Sequence, residues 1–236
     1  MKKFHFNLQS KGGVGKSFLT SLLALKYETD PNVYFVDLDS SVKTSSQQLK
    51  FLQGKNPPRF ASMNLLDYRN KIDRQLLFEN LLLLSQKDYT DFYLDFGAPE
   101  STEFPSLFSS DYTIDEFKQI ETELSVQFIL NIVIAGGSSY DACTTYLQHI
   151  IELVKENFEV NLYINQATFI NKDKIEELLI YAQIYKDCIS EVKLFGDFDN
   201  TTAPHKSILK KIEEGLGMSA YVFVERIKIL KEIAKV

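Results

Sequence analysis

Residues 9–17 read Gln-Ser-Lys-Gly-Gly-Val-Gly-Lys-Ser, and the apolar run Phe4-His5-Phe6-Asn7-Leu8 leads straight into them. A glycine-rich loop ending in Gly15-Lys16-Ser17 between a strand and a helix has the pattern of a phosphate-binding loop. It constrains the fold more than any other segment, because it works only where a strand hands over to a helix N-terminus. Gly12, Gly13 and Gly15 let the backbone curl so that successive N–H groups, that of Val14 among them, face one anion. A helix starting near Gly15 adds its partial positive charge. Lys16 is then placed to reach β- and γ-phosphates, and the Ser17 hydroxyl to take a Mg²⁺ site. The loop departs from the common pattern at its front, where Ser10 replaces the first glycine and Lys11 supplies an extra lysine.

The surrounding pattern fits that handover. Short runs rich in aliphatic and aromatic residues predict strands at 2–8, 32–37, 90–96, 126–135, 159–165 and 190–195, with a shorter one near 59–63. Helical spacing between them predicts helices at 15–29, 40–53, 70–85, 139–157 and 172–187. The alternation implies an α/β fold: a mostly parallel sheet with helices on both faces. The 236 residues suit a single domain spanning 1–236. Residues 97–125 are the least regular stretch and read as a mobile or partner-facing loop with a short helix near 113–124.

Composition narrows the setting. No apolar run reaches the length of a membrane span, and Met1-Lys2-Lys3 leads into alternating residues instead of a signal-peptide core. The expected location is cytoplasmic. Cys143 and Cys188 are far apart, without metal-ligand spacing, and read as thiols. The net charge of −6 argues against nucleic-acid binding over the whole surface.

Two predicted strands end in aspartates. Val33-Tyr34-Phe35-Val36 runs into Asp37-Leu38-Asp39, and the strand at 90–96 carries Asp95, followed by Phe96-Gly97-Ala98-Pro99. In an open α/β sheet ligands bind beyond the carboxyl ends of the strands, where the phosphate loop also lies. Asp37, Asp39 and Asp95 are therefore candidates to hold Mg²⁺ or to orient an attacking water. The alternative is that they cap the following helices, a fair reading for Asp39 alone. Asn165 and the Thr202-Ala203-Pro204 segment follow later strands. Either can meet a nucleotide base, the asparagine amide by donating to and accepting from a purine edge; each is equally well a turn residue.

Lys11-Gly12-Gly13-Val14-Gly15-Lys16-Ser17 resembles the deviant Walker A motif of the ParA/MinD ATPases, a branch of the P-loop NTPases of SIMIBI type. Val36-Asp37-Leu38-Asp39 looks like their second motif, and Leu94-Asp95-Phe96-Gly97-Ala98-Pro99 like their Walker B region. Asn165 and the Ala203-Pro204 loop look like their adenine-binding elements. The resemblance covers nearly the whole chain. It implies ATP and Mg²⁺ as cofactors and a nucleotide-dependent homodimer with a further protein partner. Lys11 would cross the interface to the partner's phosphates, Asp39 would position the hydrolytic water, and Ser17, Asp37 and Asp95 would support Mg²⁺. Phe18 stands where many relatives carry a second hydroxyl near the α-phosphate, and Ser40 where partition ATPases often carry proline. Leu8-Gln9, Asp95-Phe96-Gly97-Ala98, Ile134-Ala135-Gly136-Gly137 and Tyr163-Ile164-Asn165 look like the conjugal-transfer-associated (TraL-like) proteins of this type.

Other branches of the resemblance fit less well. Iron–sulfur relatives need cysteines bridging a cluster across the dimer, and neither Cys143 nor Cys188 suits that. Tyrosine-kinase relatives carry a tyrosine-rich C-terminal tail, absent from residues 222–236. A metabolic enzyme using ATP on a small acid and a membrane-associated MinD-like positioning ATPase remain alternatives. In the last helix Phe223, Ile227, Leu230 and Ala234 share a face. The expectation is that this face packs on the domain and leaves a solvated basic face, so membrane binding is not favoured. Residues 204–236 carry seven Lys/Arg and four Glu, net +3, leaving −9 elsewhere. Any weak, non-specific DNA contact should therefore use this segment and be salt-sensitive.

Overall fold

The computed structural model describes residues 1–40, 44–69, 71–199 and 201–236. Strands β1 (Lys2–Leu8), β2 (Val33–Asp37), β3 (Phe60–Ser62), β4 (Asp91–Asp95), β5 (Val126–Ala135), β6 (Glu159–Asn165) and β7 (Ile189–Phe195) form one sheet. Their order is β3-β2-β4-β1-β5-β6-β7, and every pairing is parallel. The strands stand where the apolar runs predict them, to within one residue at each end. The chain leaves β1 toward β2 on one side and later crosses β1 to place β5 on the other. The carboxyl end of β1 is thus a switch point, where open α/β sheets bind ligands.

Alternation along β1 separates two layers. Phe4, Phe6 and Leu8 point to one face, where Phe6 meets Phe96, Phe104 and Phe128 at ring distances of 5.5, 5.7 and 5.3 Å. Helices α4 (Arg74–Ser85), α5 (Ala98–Glu103), α6 (Ile114–Leu124) and α7 (Tyr140–Val154) cover that side. Phe117 of α6 joins Phe78, Phe108, Phe128 and Phe158, and the Tyr146 hydroxyl of α7 donates to Ser101 O of α5 at 2.8 Å. His5 and Asn7 point to the opposite face. There α1 (Lys16–Lys26) packs on the sheet and on α10 (Phe223–Ile233), with α9 (Ala203–Glu213) beside α10. Two short helices, α2 (Thr44–Gln48) and α3 (Lys50–Gln53), and α8 (Asp173–Ile184) complete the described set.

A polar ladder crosses the middle of the sheet. Asn7, Asn131 and Asn161 occupy the same register on β1, β5 and β6 and all are buried. Asn161 Nδ2 donates to Asn131 Oδ1 at 3.2 Å, Asn131 Nδ2 to Asn7 Oδ1 at 2.9 Å, and Asn7 Nδ2 to Thr20 Oγ1 at 2.8 Å. The Thr20 hydroxyl then donates to Lys16 O at 3.1 Å. Buried amides need such partners.

The structure corrects the sequence expectation in four segments. Residues 97–125 hold the short helix expected near 113–124 as α6 (Ile114–Leu124), but the rest of the stretch is not a loose loop. They form α5, a π-helical turn at Leu107–Asp111 and α6, which is closed by a capping box between Thr113 and Glu116. Phe104, Leu107, Phe108 and Phe117 are all buried, and that aromatic burial outweighs the Pro, Ser and acidic composition. The helix expected over 40–53 is two short ones, with residues 41–43 outside the described set, and the helix expected from 70 starts at Arg74, capped by Asp73. The last helix is rotated relative to expectation. Its packed side holds Glu225, Ile229, Glu232 and Ile233, whereas Phe223, Ile227 and Leu230 face outward at 77%, 43% and 48% exposure. Buried hydrogen bonds explain the choice: Glu232 accepts from Gly196 N at 3.0 Å and Asp197 N at 3.1 Å, and Glu225 pairs with Lys211. No described helix is long and apolar enough to cross a membrane.

Phe117→Ala should lower unfolding stability by about 3–5 kcal/mol and raise amide exchange across 98–124. Exchange confined to α6 would show that the aromatic cluster does not hold this segment.

Candidate functional site

Gly15 is the first hinge of the site. It stands at the N-cap of α1 with φ 104° and ψ 21°, a left-handed conformation that glycine adopts without Cβ strain. A Cβ there would also meet Asn165 Nδ2 at 2.5 Å. Gly13 is likewise at positive φ, 76°. Around Gly12 and Gly13 nothing lies within 4 Å of a would-be Cβ, so the front of the loop is open, and Lys11 is exposed there. Val14 is buried beneath it. Gln9 anchors the base of the loop: its Nε2 donates to Val133 O at 2.9 Å, and its carbonyl accepts from Lys16 Nζ at 2.9 Å.

Lys16 is 7% exposed. Burial lowers its pKa, and Asp95, Asp39, Cys143 and Glu100 push it back up. Lys16, Asp39 and Asp95 thus converge as the strand-end pattern predicts. Asp95 is 1% exposed. Burial raises its carboxyl to about 6, against the opposing effects of Ser45, Ser17 and Lys16. The Ser45 hydroxyl donates to Asp95 Oδ2, while Oδ1 is buried without a hydrogen-bond partner among the described residues. An orphaned carboxylate oxygen beside the Ser17 hydroxyl suits a hydrated divalent cation. No group of three His, Cys, Asp or Glu side chains among the described residues is placed to hold a metal by itself, so Ser17 and water would complete such a shell.

Asp37 takes the capping role that the sequence left open for Asp39. Its Oδ2 accepts from Ser46 N at 2.9 Å and Ser46 Oγ at 2.6 Å, and its Oδ1 from Asp39 N at 3.0 Å. These bonds oppose the upward shift that burial gives its pKa. Asp37 therefore holds α2 and the Asp39 backbone in place, and α2 in turn presents Ser45 to Asp95.

The base-side residues gather across the loop. Asn165 Nδ2 donates to Val14 O at 2.9 Å, and its buried Oδ1 has no partner among the described residues. Phe18 is half-buried, its ring 6.2 Å from Phe195 and 5.8 Å from Phe198. Phe198 lies edge-on to His205 at 5.5 Å, which links Phe18 to the first turn of α9, where Pro204 sits. Phe18 thus belongs to an aromatic wall with Phe195 and Phe198. Glu100, buried beside Asp39, was missed in the sequence. Its signal is an acidic residue one turn beyond the Asp95-Phe96-Gly97 strand end.

No protein-family model matches the chain, and no curated protein sequence matches it. Solved structures do. A chain of the MinC:MinD cell division protein complex of Aquifex aeolicus superposes with a TM-score of 0.54 at 12% identity, covering 99% of this chain and 95% of that one. A plasmid partition protein from Borrelia burgdorferi gives 0.51 at 15% identity, covering 90% and 96%. A ParA family ATPase from Chlorobium tepidum gives 0.50 at 14% identity, covering 99% and 98%. The fold is that of the MinD and ParA-type P-loop proteins.

Asp95→Asn tests the electrostatics directly. A carboxyl raised above its unfolded value destabilises the fold once ionised, so at pH 7 the substitution should stabilise the ligand-free protein by on the order of 2 kcal/mol. That advantage should disappear as pH falls from about 6 toward the unfolded value near 4. Denaturant unfolding at several pH values measures it; a pH-independent difference would contradict the buried-carboxylate assignment.

Proposed function

We propose that this chain is an ATP-hydrolysing dimerisation switch of the ParA/MinD type. The observation that carries the reading is the buried Lys16 facing Asp39 and Asp95 at the switch point, with Lys11 left exposed at the front of the same loop. Lys16 and the loop N–H groups account for phosphate binding within one subunit, which leaves Lys11 for a neighbouring one. In this reading the Ser17 hydroxyl and Asp95 would hold Mg²⁺ with its waters, which would supply charge neutralisation to the phosphates, and Asp37 supports both residues from behind. Asp39 orients the water. Asn165 Oδ1 accepts from a 6-amino purine while the α9 start at Pro204 borders the base. The product of turnover is a conformational state that recruits a protein partner in DNA partition, conjugal transfer or cellular positioning, and the place of work is the cytoplasm.

Lys16→Ala should abolish Mg·ATP binding by calorimetry. Lys11→Ala should keep monomer binding but lose ATP-dependent dimerisation and hydrolysis, measured by light scattering with a slowly hydrolysed analogue. A wild type that stays monomeric, or a Lys11 variant that dimerises equally well, would refute the switch.

The outward face of α10 favours a second reading, in which the switch acts at a lipid surface. Val222, Phe223, Val224, Ile227 and Leu230 are exposed next to Arg226, Lys228 and Lys231, a composition suited to anionic headgroups. DNA is less well served by this segment, because Lys211 pairs with Glu225 and Lys235 with Glu232. Co-sedimentation with anionic vesicles should then fall for Phe223→Asp, and equal sedimentation of both forms would remove this reading.

A further inference from the structure

Glu100 is a carboxylate that none of the roles above uses. It lies in the first turn of α5 and is 2% exposed. Its Oε1 accepts from Ser40 N at 3.2 Å. Its Oε2 is buried with no hydrogen-bond partner among the described residues. An ionised oxygen in that condition is costly to bury. What faces it is a second carboxylate. A Cβ built on Gly97 would meet Asp39 Oδ1 at 2.9 Å and Glu100 Oε2 closer still. The two oxygens therefore converge over the Gly97 backbone, within the span that one bridging water covers. Both carboxylates act on Lys16, raising its pKa. A cavity of about 580 Å³, lined by Ser40, Leu66, Lys71, Ile72, Pro99, Glu100 and Glu103, opens beside them and gives water a route in.

We propose that Glu100 and Asp39 together hold the water that attacks the terminal phosphoryl group, an inference that rests on the ATPase reading. A water that donates one hydrogen to Asp39 Oδ1 and the other to Glu100 Oε2 has both O–H directions fixed. A lone pair then points away from the carboxylates and toward phosphorus. With one acceptor the water would swing about a single hydrogen bond, and the orientational gain would be lost. In the step itself the water oxygen forms a bond to the γ-phosphorus as the bond to the bridging oxygen breaks. That electron pair leaves with ADP. One water proton passes to a carboxylate of the pair and from there to the released phosphate. Gly97 is required because any side chain would fill the place where the two carboxylates meet.

The test compares Glu100→Gln and Glu100→Ala with the wild type. The glutamine keeps an acceptor for Ser40 N–H and removes the charge. Glu100→Gln should bind Mg·ATP within about twofold of the wild type and turn it over about 100-fold more slowly, with KM unchanged. Combined with Asp39→Asn it should fall no further than Asp39→Asn alone, since the two hold one water. In the ligand-free protein Glu100→Gln should raise Tm by about 2 °C or more, because it replaces a buried carboxylate that has one oxygen without a donor among the described residues. Wild-type turnover in Glu100→Gln with loss only in Glu100→Ala would reduce Glu100 to a support for the Ser40 backbone and overturn the proposal. So would an unchanged ligand-free Tm, or a turnover loss matched by an equal loss of binding. A wild type that fails to bind Mg·ATP in the calorimetric control would instead overturn the ATPase reading, before any variant is compared.

Discussion

The site depends on one buried ammonium. Lys16 is folded back onto the Gln9 carbonyl and faces Asp95, Asp39 and Glu100. Among the described residues this one ammonium faces several carboxylates, of which Asp95 and Glu100 are deeply buried. Burial raises the pKa of Asp95 and Asp37, and oxygens of Asp95 and Glu100 are left without donors among the described residues. A pocket in this electrostatic condition favours the arrival of a hydrated dication and of groups carrying hydrogens. The helix dipole of α1 and the open space around Gly12 and Gly13 favour an anion beside it. The two preferences are complementary, and a metal-bound phosphate satisfies both at once.

Much of this arrangement was legible in the sequence because it rests on local, periodic or strongly typed signals. Strand runs are short and apolar, so all seven could be located to within a residue. Gly15-Lys16-Ser17 fixes its own surroundings, since the chain can make that turn only between a strand and a helix. Asp39 and Asp95 could be placed at the site because strand ends are legible and the sheet is parallel. Other features depend on contacts between distant segments. The order of residues 97–125 comes from Phe104, Phe108 and Phe117 meeting rings on β1, β5 and the segment before β6, and no local rule records that. The rotation of α10 is set by Glu232 receiving two N–H groups from the turn after β7, so an apolar stripe that reads as core lies outside. The helix-capping bonds fall to Asp37 because Ser46, nine residues on, supplies the donors. Glu100 was overlooked because its partner across Gly97 becomes its neighbour only when α5 begins immediately after β4.

The asparagine ladder beneath the site has a consequence for how the chain can misassemble. Asn7, Asn131 and Asn161 bond to one another only in the register observed, and Asn7 passes the chain of donors through Thr20 to the Lys16 carbonyl. Sliding β5 by a single residue along β1 would turn its amide to the other face, among phenylalanines, and strand its polar atoms there. An error of strand pairing is thereby converted into a fault at the first turn of α1, the turn that carries Lys16. Chains that pair wrongly would leave the Asn7 amide oxygen without its Asn131 donor directly beneath α1, so the pairing of the central strands bears on the site built on their ends.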